Sequence, residues 1–267
     1  MAHSQAAQRG LERAAERAPI FEWRQLRKAL AETWQPGEHV SVFGPTGRGK
    51  TTVLIELCEL PGHQPAVLLV TKRRDDMVRR LTRRGWILCR SLEDVKRTGE
   101  VRLLDRWAGL IPPPPKIVYW PTATGSIKQR RARLTAECER FFDYAYDQGH
   151  MTVAVDEALY VAEDLRLGAS LRTIWHEGRA SGVSLLAASQ RPSWLPKSAY
   201  SSPTYLAIFR TNDPDDLRRL ADIGGAIDTR ALRLELQLLD DHEFAFCVPR
   251  DVPAWICRST ISVRRAG

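Results

Sequence analysis

Residues 39–52, HVSVFGPTGRGKTT, constrain the fold more than any other part of the sequence. Residues 40–43 have the apolar character of a short buried strand, and the apolar run at residues 52–60 has that of a helix. Between them, residues 44–51 fit the pattern of Gly, four residues of any type, Gly, Lys and then Ser or Thr. A strand, a glycine-rich loop and a helix in this order form the context in which that pattern wraps a phosphate chain.

The residue types of this loop, a Walker A motif, have chemical reasons. Glycines let the backbone curl so that its N–H groups point inward at phosphate oxygens, and the following helix adds a partial positive charge at its N-terminus. Lys50 is expected to reach the terminal phosphates of ATP, and the hydroxyl of Thr51 is expected to hold Mg²⁺. The expected nucleotide-binding residues are Gly44, Pro45, Thr46, Gly47, Arg48, Gly49, Lys50, Thr51 and Thr52.

A second sequence element, which is acidic, supplies the carboxylates that ATP hydrolysis needs in addition to nucleotide binding. Residues 153–158, VAVDEA, read as an apolar strand that ends in two carboxylates, as in a Walker B motif. Ligands of open α/β sheets bind at the carboxyl ends of the strands, so Asp156 is expected to hold Mg²⁺ through water beside Thr51. Glu157 is the expected general base that orients or activates an attacking water.

Apolar strands alternate with helices along most of the chain, which predicts a mainly parallel sheet between layers of helices. The sequence divides into a helical extension at residues 1–37 and one P-loop domain at residues 38–267 that ends in a β-hairpin. Residues 101–104 are expected to form a small strand. A strand at residues 116–120 precedes the acidic pair, which favours P-loop ATPases with an extra strand over nucleotide kinases and GTPases.

Charge and cysteine usage narrow the class of protein. The net charge is +8, with 40 Lys and Arg residues against 32 Asp and Glu. This balance favours a polyanionic partner, nucleic acid before an anionic membrane, although a host with an arginine-rich proteome would give the same excess. The five cysteines are scattered without a C-x-x-C pair, so we expect buried thiols in a reducing compartment. The sequence has no run of 18 apolar residues, so we expect no membrane insertion. A cytoplasmic location is expected, in the host if the protein is viral.

Five polar residues are candidates to complete the site. Gln190 follows the apolar strand at residues 183–189, where its side chain would lie next to the γ-phosphate of ATP or position water. Arg179, at the end of the preceding helix, is the first candidate for an arginine that acts on a neighbouring subunit's site. Arg210, directly after the strand at residues 205–209, is its rival, and Arg172 and Arg191 remain alternatives.

Four segments together resemble the FtsK/HerA superfamily of DNA-translocating ATPases. They are GPTGRGKTT, VAVDEA, GRASGVSLLAASQRP and YLAIFRTNDPDDLRRLA, and the resemblance covers residues 38–250. It implies an α/β, RecA-like P-loop core of the ASCE class that works as a pentameric or hexameric ring, with double-stranded DNA in the central channel. It also implies that each ATP site is completed by a neighbour's arginine. The basic runs at residues 72–84 and 128–133 are both candidates for the channel lining.

The resemblance favours an ATP-hydrolysing motor for viral or prophage genome packaging, because the chain is close in size to packaging ATPases. A portal or nuclease partner could then dock on the N-terminal helix. The alternatives are a Zot-like assembly factor of the kind found in filamentous phage and a plasmid-type DNA transfer ATPase. A nucleotide kinase is disfavoured by the extra strand and Glu157, and an ABC-type ATPase by the lack of an LSGGQ-like stretch.

Overall fold

A nine-stranded sheet runs through the part of the chain that the structure describes. The computed structural model describes residues 18–60, 64–107, 113–221, 229–249 and 255–261. The strands are β1 (Val40–Phe43), β2 (Ala66–Leu69), β3 (Ile87–Cys89), β4 (Lys116–Tyr119), β5 (Thr152–Val155), β6 (Ser184–Ser189), β7 (Tyr205–Phe209), β8 (Glu243–Val248) and β9 (Trp255–Thr260). The strands predicted from the sequence match this set, apart from shifts at their ends and the one at residues 101–104.

Helices connect and flank the strands. They are α1 (Trp23–Thr33), α2 (Lys50–Cys58), α3 (Asp76–Arg83), α4 (Leu92–Trp107), α5 (Ile127–Gln148), α6 (Gly168–Glu177), α7 (Ser198–Ser201), α8 (Pro214–Ala221) and α9 (Thr229–Leu238). A π-helical segment spans Tyr160–Asp164, and a 3₁₀ turn spans Pro192–Trp194.

The strand order is β3-β4-β2-β5-β6-β1-β7-β8-β9. Neighbours from β3 to β7 are parallel, whereas β8 and β9 join antiparallel and form the predicted C-terminal hairpin. One strand separates the loop strand β1 from the acidic strand β5, which confirms the predicted separation. The separating strand is β6, however, and not β4, the strand at residues 116–120 that indicated this class in the sequence; β4 lies on the far side of β2. The carboxyl ends of seven parallel strands therefore meet at one edge, where the candidate site lies.

Apolar side chains bury both faces of the sheet. On one face, strand residues such as Val67 and Val153 form a core with Phe141 of α5 and Leu171 of α6. The other core lies under α1, α2 and α3. Parallel strands covered on both faces must be apolar at consecutive positions, which explains the unbroken apolar runs in the sequence.

Residues 101–104 are helical, so the small strand predicted there is wrong. They belong to α4, whose first turn is fixed by a reciprocal cap: Asp94 N–H donates to Ser91 Oγ at 3.2 Å, and Ser91 N–H donates to Asp94 Oδ2 at 3.1 Å. Leu92 and Val95 are buried on one side of that turn. A short apolar run fits a helix or a strand equally well, and the upstream cap decides between them here.

The sequence predicts a helix that starts at a capping box of Ser126 and Gln129 and ends before Gly149, and α5 has these ends. Ser126 and Gln129 form the expected capping box, with Ser126 N–H donating to Gln129 Oε1 at 2.9 Å, and Gly149 follows the last turn. Leu134, Cys138, Phe141 and Ala145 are buried as one stripe. The helical spacing of the sequence also predicts Ile127 in that stripe, but Ile127 lies in the first turn of α5 and is 73% exposed.

The N-terminal helix packs against the hairpin end of the sheet. Trp23 of α1 meets Phe244 of β8 edge to face, with ring centroids 5.3 Å apart. Residues 18–21 run beside β9, where Arg258 N–H donates to the carbonyl of Pro19 at 2.8 Å. The Arg258 side chain, 6% exposed, lies 3.5 Å from Glu235 of α9. The division of the chain at residue 37 stays a prediction.

We expect Arg258→Met to lower the free energy of unfolding by about 3–5 kcal/mol, because it leaves the buried Glu235 carboxylate without its cation. The double variant Arg258→Met/Glu235→Leu should recover most of that loss, since no buried charge remains. Urea denaturation followed by circular dichroism measures both. A double variant that loses at least as much stability as Arg258→Met would contradict this role for the pair.

Candidate functional site

The glycine-rich loop turns sharply at the end of β1. Gly44, Gly47 and Gly49 have φ angles of 148°, 80° and 110°, a region that side chains with a Cβ rarely adopt. At Gly44 a Cβ would come within 2.5 Å of the Phe209 Cβ on β7, so only glycine fits. The Gly44 N–H also donates to the carbonyl of Ser189 at 3.2 Å, which ties the loop to the end of β6.

Lys50 is held at the centre of the loop. It is the first residue of α2, its side chain is almost fully buried, and its ammonium donates to the carbonyl of Pro45 at 3.0 Å. Burial lowers the pKa of Lys50, while the carboxylates of Glu157 and Asp156 act in the opposite direction. An ammonium group fixed beside inward-facing backbone N–H groups is suited to bind phosphate oxygens.

The hydroxyl of Thr51 and the carboxylate of Asp156 meet at the carboxyl-end edge of the sheet. Thr51 Oγ1 donates to Asp156 Oδ1 at 2.6 Å, and Lys72 Nζ donates to Asp156 Oδ2 at 3.2 Å. Mg²⁺ in nucleotide sites takes hard oxygen ligands from one or two protein groups, water and phosphate. Thr51 and Asp156 together present the hydroxyl and carboxylate oxygens that would hold Mg²⁺, Asp156 through water.

Lys72 is a residue of this site that sequence reasoning missed. The sequence predicts it only as the first member of a basic run, yet it follows β2, the neighbour of β5 in the sheet. Burial alone would lower the pKa of Lys72, but the charge and hydrogen bond of Asp156 outweigh burial and raise it. The order of the strands in the sheet places Lys72 beside Asp156, but that order cannot be predicted from the residues of the basic run.

Glu157 is linked to the glycine-rich loop through Gln190. Gln190 Nε2 donates to Glu157 Oε2 at 2.8 Å, and Thr46 Oγ1 donates to Gln190 Oε1 at 2.7 Å. Burial raises the pKa of Glu157, and the hydrogen bond from Gln190 and the charge of Lys50 partly offset it. A carboxylate with a raised pKa and a fixed orientation is suited to take a proton from water.

A cleft of about 540 Å³ opens beside the loop. Its walls include Thr46 and Arg48 of the loop, Gln190, and Arg210 at the end of β7. Arg191 also lines it, but its guanidinium is engaged by Asp213 at 3.1 Å. Arg210 therefore lies next to the glycine-rich loop of its own chain.

Arg179 lies at the other edge of the sheet. It precedes β6, and its backbone packs against Gly37, which precedes β1, so both belong to the amino-end edge. Its side chain is exposed, as is that of Arg172 on α6. The structure does not bring Arg179 to the site of its own chain, and any contact with nucleotide would be with another subunit.

The five cysteines are all buried thiols without a disulfide. Within the described ranges, no group of three His, Cys, Asp or Glu residues could hold a metal ion by itself. Of the helices in those ranges, none is both long and apolar enough to cross a membrane.

Comparisons with known proteins find similarity in structure only. No protein-family model matches the chain, and no curated protein matches it in sequence. The genome packaging NTPase B204 of Sulfolobus turreted icosahedral virus 2, solved with AMPPCP, is similar with a TM-score of 0.55 at 14% identity, over 85% of this chain and 100% of B204. VirB4 of Thermoanaerobacter pseudethanolicus has a TM-score of 0.56 at 12% identity, over 85% of this chain and 90% of VirB4.

A further structure of B204, described as the DNA-packaging ATPase of Sulfolobus turreted icosahedral virus, has a TM-score of 0.55 at 14% identity over 86% of this chain and 100% of B204. These similarities extend over nearly all of each solved chain. The chain therefore has the P-loop α/β fold of a viral packaging ATPase and of VirB4, which confirms the fold predicted from its resemblance to the FtsK/HerA superfamily.

Proposed function

We propose that the protein is an ATPase that moves double-stranded DNA, as a homo-oligomeric ring, in viral or prophage genome packaging. One observation carries the proposal. Lys50, Thr51, Asp156, Glu157 and Gln190, drawn from three strands, converge at one edge of a fold shared with a packaging ATPase. That set combines phosphate binding, metal binding and a base, which is what ATP hydrolysis requires.

Each residue has one task in this mechanism. The backbone N–H groups of the glycine-rich loop and Lys50 bind the β- and γ-phosphates of ATP. Glu157 accepts a proton from the water that attacks the γ-phosphate, and Gln190 holds the Glu157 carboxylate in position through its 2.8 Å hydrogen bond. Mg²⁺, held by Thr51 and through water by Asp156, would neutralise charge that develops on the phosphates.

An arginine from another subunit is expected to complete the site. Arg210 lies beside the loop of its own chain, which favours a contact with that chain's own nucleotide. Arg179 is exposed and distant from its own site, which leaves it available to a neighbour. We therefore assign the trans role to Arg179 and a role in cis to Arg210.

Double-stranded DNA is the proposed substrate of the motor. The net charge of +8 favours a polyanion, and the similar B204 protein is described as a DNA-packaging ATPase. We propose that the motor acts in the cytoplasm of a host cell and that a portal or nuclease docks on it.

A DNA transfer ATPase without a packaging role is the second candidate. The similarity to VirB4, with a TM-score of 0.56, is as extensive as that to B204. Both candidates share the chemistry of the site and differ in the assembly that receives the DNA.

ATP hydrolysis should rise when duplex DNA is added at low salt and should fall back as salt increases. Contacts with phosphates release bound counterions, and this release becomes less favourable as the salt concentration rises. Phosphate release measured with and without a duplex of mixed sequence, across a salt series, tests this. The proposed DNA motor is wrong if DNA neither binds nor stimulates turnover at low salt.

Variants of Lys50 and Glu157 should separate binding from hydrolysis. Lys50→Ala loses a charge-assisted contact of roughly 1.5–3 kcal/mol and should weaken ATP binding about 10- to 100-fold. Glu157→Gln should keep ATP binding and lower kcat by about 10²–10⁴. Binding of a fluorescent ATP analogue and single-turnover hydrolysis measure the two effects.

Two exposed residues supply matched controls for these substitutions. Lys28→Ala on α1 and Glu139→Gln on α5 make the same chemical changes away from the site and should leave both quantities unchanged. Normal hydrolysis by Glu157→Gln would show that Glu157 is not the general base.

A further inference from the structure

We propose that the carboxyl-end edge of β4, β2 and β5 is the surface that contacts the phosphate backbone of duplex DNA, an inference that rests on the function proposed above. Five cations define this surface, which we call the basic edge: Arg73, Arg74, Lys128, Arg130 and Arg166. They come from three segments that are far apart in the sequence: the loop after β2, the first turn of α5 and the loop before α6. The structure brings those segments together because β4, β2 and β5 are neighbours in the sheet.

Contacts between the three segments fix the positions of the parts of the basic edge relative to one another. Trp120, which follows β4, donates its indole N–H to the carbonyl of Lys72, which follows β2, at 2.7 Å. Arg131 in the first turns of α5 pairs with Asp164 after β5 at 3.1 Å. The segment after β4, from Trp120 to the first turns of α5, is thus bonded to the segments after β2 and β5.

The charge of this edge is not neutralised by the protein. Residues 72–76, 126–133 and 163–166 carry eight cations and four carboxylates. Two of those carboxylates are engaged, since Asp75 accepts the N–H of Met77 at 2.9 Å and Asp164 pairs with Arg131. Among the described residues, none of the five cations of the basic edge has an ion-pair partner. All five are exposed except Arg130, which is half-buried.

The local backbone supports a binding role at one of these cations. Arg166 has a φ of 58°, in the left-handed region that is costly for a residue with a long side chain. Such strain persists at positions where the orientation of a side chain has a use. An exposed arginine with no carboxylate partner in the described chain is suited to contact an external anion.

Duplex DNA fits the basic edge better than a single anion does. The cations are spread over two loops and the first turn of α5 rather than gathered around one pocket, and DNA presents one charge per about 1.7 Å of its axis. Contacts of this kind are independent of base sequence, as a translocating motor requires.

The basic edge also adjoins the ATP site. Lys72, whose ammonium contacts Asp156 at 3.2 Å, is followed directly by Arg73 and Arg74. One short loop therefore has its first residue on the metal-binding carboxylate and its next two on the DNA-facing surface. A movement of Lys72 during ATP turnover would therefore move Arg73 and Arg74 directly, with no change in the packing of the core.

A second basic surface lies nearby and serves as the matched control. Arg79, Arg80 and Arg83 on α3 are also exposed and have no ion-pair partner in the described chain. Helix α3 runs from the carboxyl-end edge toward the amino-end edge, where the next residue, Arg84, pairs with Glu59. All three lie within α3, whereas Arg73 and Arg74 precede that helix and Lys128 lies in the first turn of α5.

The test compares two triple variants that remove the same charge. The edge variant is Arg73→Gln/Arg74→Gln/Lys128→Gln, and the helix variant is Arg79→Gln/Arg80→Gln/Arg83→Gln. Fluorescence anisotropy with a short labelled duplex of mixed sequence gives the dissociation constant at each salt concentration. The edge variant should reduce the slope of log affinity against log salt by roughly 2–3, whereas the helix variant should leave it unchanged.

Thermal unfolding followed by circular dichroism reports whether the variants fold. If the triple edge variant does not fold, the single variant Lys128→Gln replaces it, with an expected loss of roughly 1 in the slope. A wild-type slope in the edge variant, or equal losses in both variants, overturns the inference and leaves the proposed function standing. If the unaltered protein does not bind duplex DNA at low salt, the proposed function fails, and the inference fails with it.

Discussion

The hydrogen bond between Thr51 and Asp156 is the contact on which the candidate site depends. It joins residues 105 positions apart at a distance of 2.6 Å. Thr51 is in the first turn of α2, which follows β1 and the glycine-rich loop, and Asp156 follows β5. The strands β1 and β5 are separated by β6, which places them roughly 10 Å apart at the usual spacing of strands. The bond forms because the loop curls back at Gly44 and α2 starts above the sheet, so that Thr51 reaches across β6. A larger residue at Gly44 would meet Phe209 and push the loop away.

The order of the strands is repeated in the order of the polar contacts. Thr46 follows β1, Gln190 follows β6 and Glu157 follows β5, and their side chains are hydrogen-bonded in that sequence. A conformational change of the glycine-rich loop on phosphate binding would therefore be transmitted to Glu157 through the side chain of Gln190. Because Gln190 contacts both neighbours, we infer that it coordinates phosphate binding with the orientation of the base.

Local chemistry made much of this predictable from the sequence. The glycine-rich loop, the acidic pair and the capping box of α5 are short patterns in which neighbouring residues determine the conformation, and the structure has the elements where the patterns predict them. Lys72 could not be assigned, because its contact with Asp156 depends on which strand lies beside β5. The strand predicted at residues 101–104 failed for a related reason, since a cap at Ser91 outside the run makes it helical.

One chain supplies only part of the hydrolytic site in this account. Arg210 lines the cleft beside its own loop, whereas Arg179 lies at the opposite edge of the sheet. Electron cryo-microscopy of the Glu157→Gln protein with ATP and duplex DNA tests the arrangement most directly. We expect a closed ring with DNA in its channel, in which an arginine of one subunit reaches the nucleotide held by the glycine-rich loop of the next. Separate monomers with ATP bound, or a ring whose nucleotides face away from every subunit boundary, would contradict it.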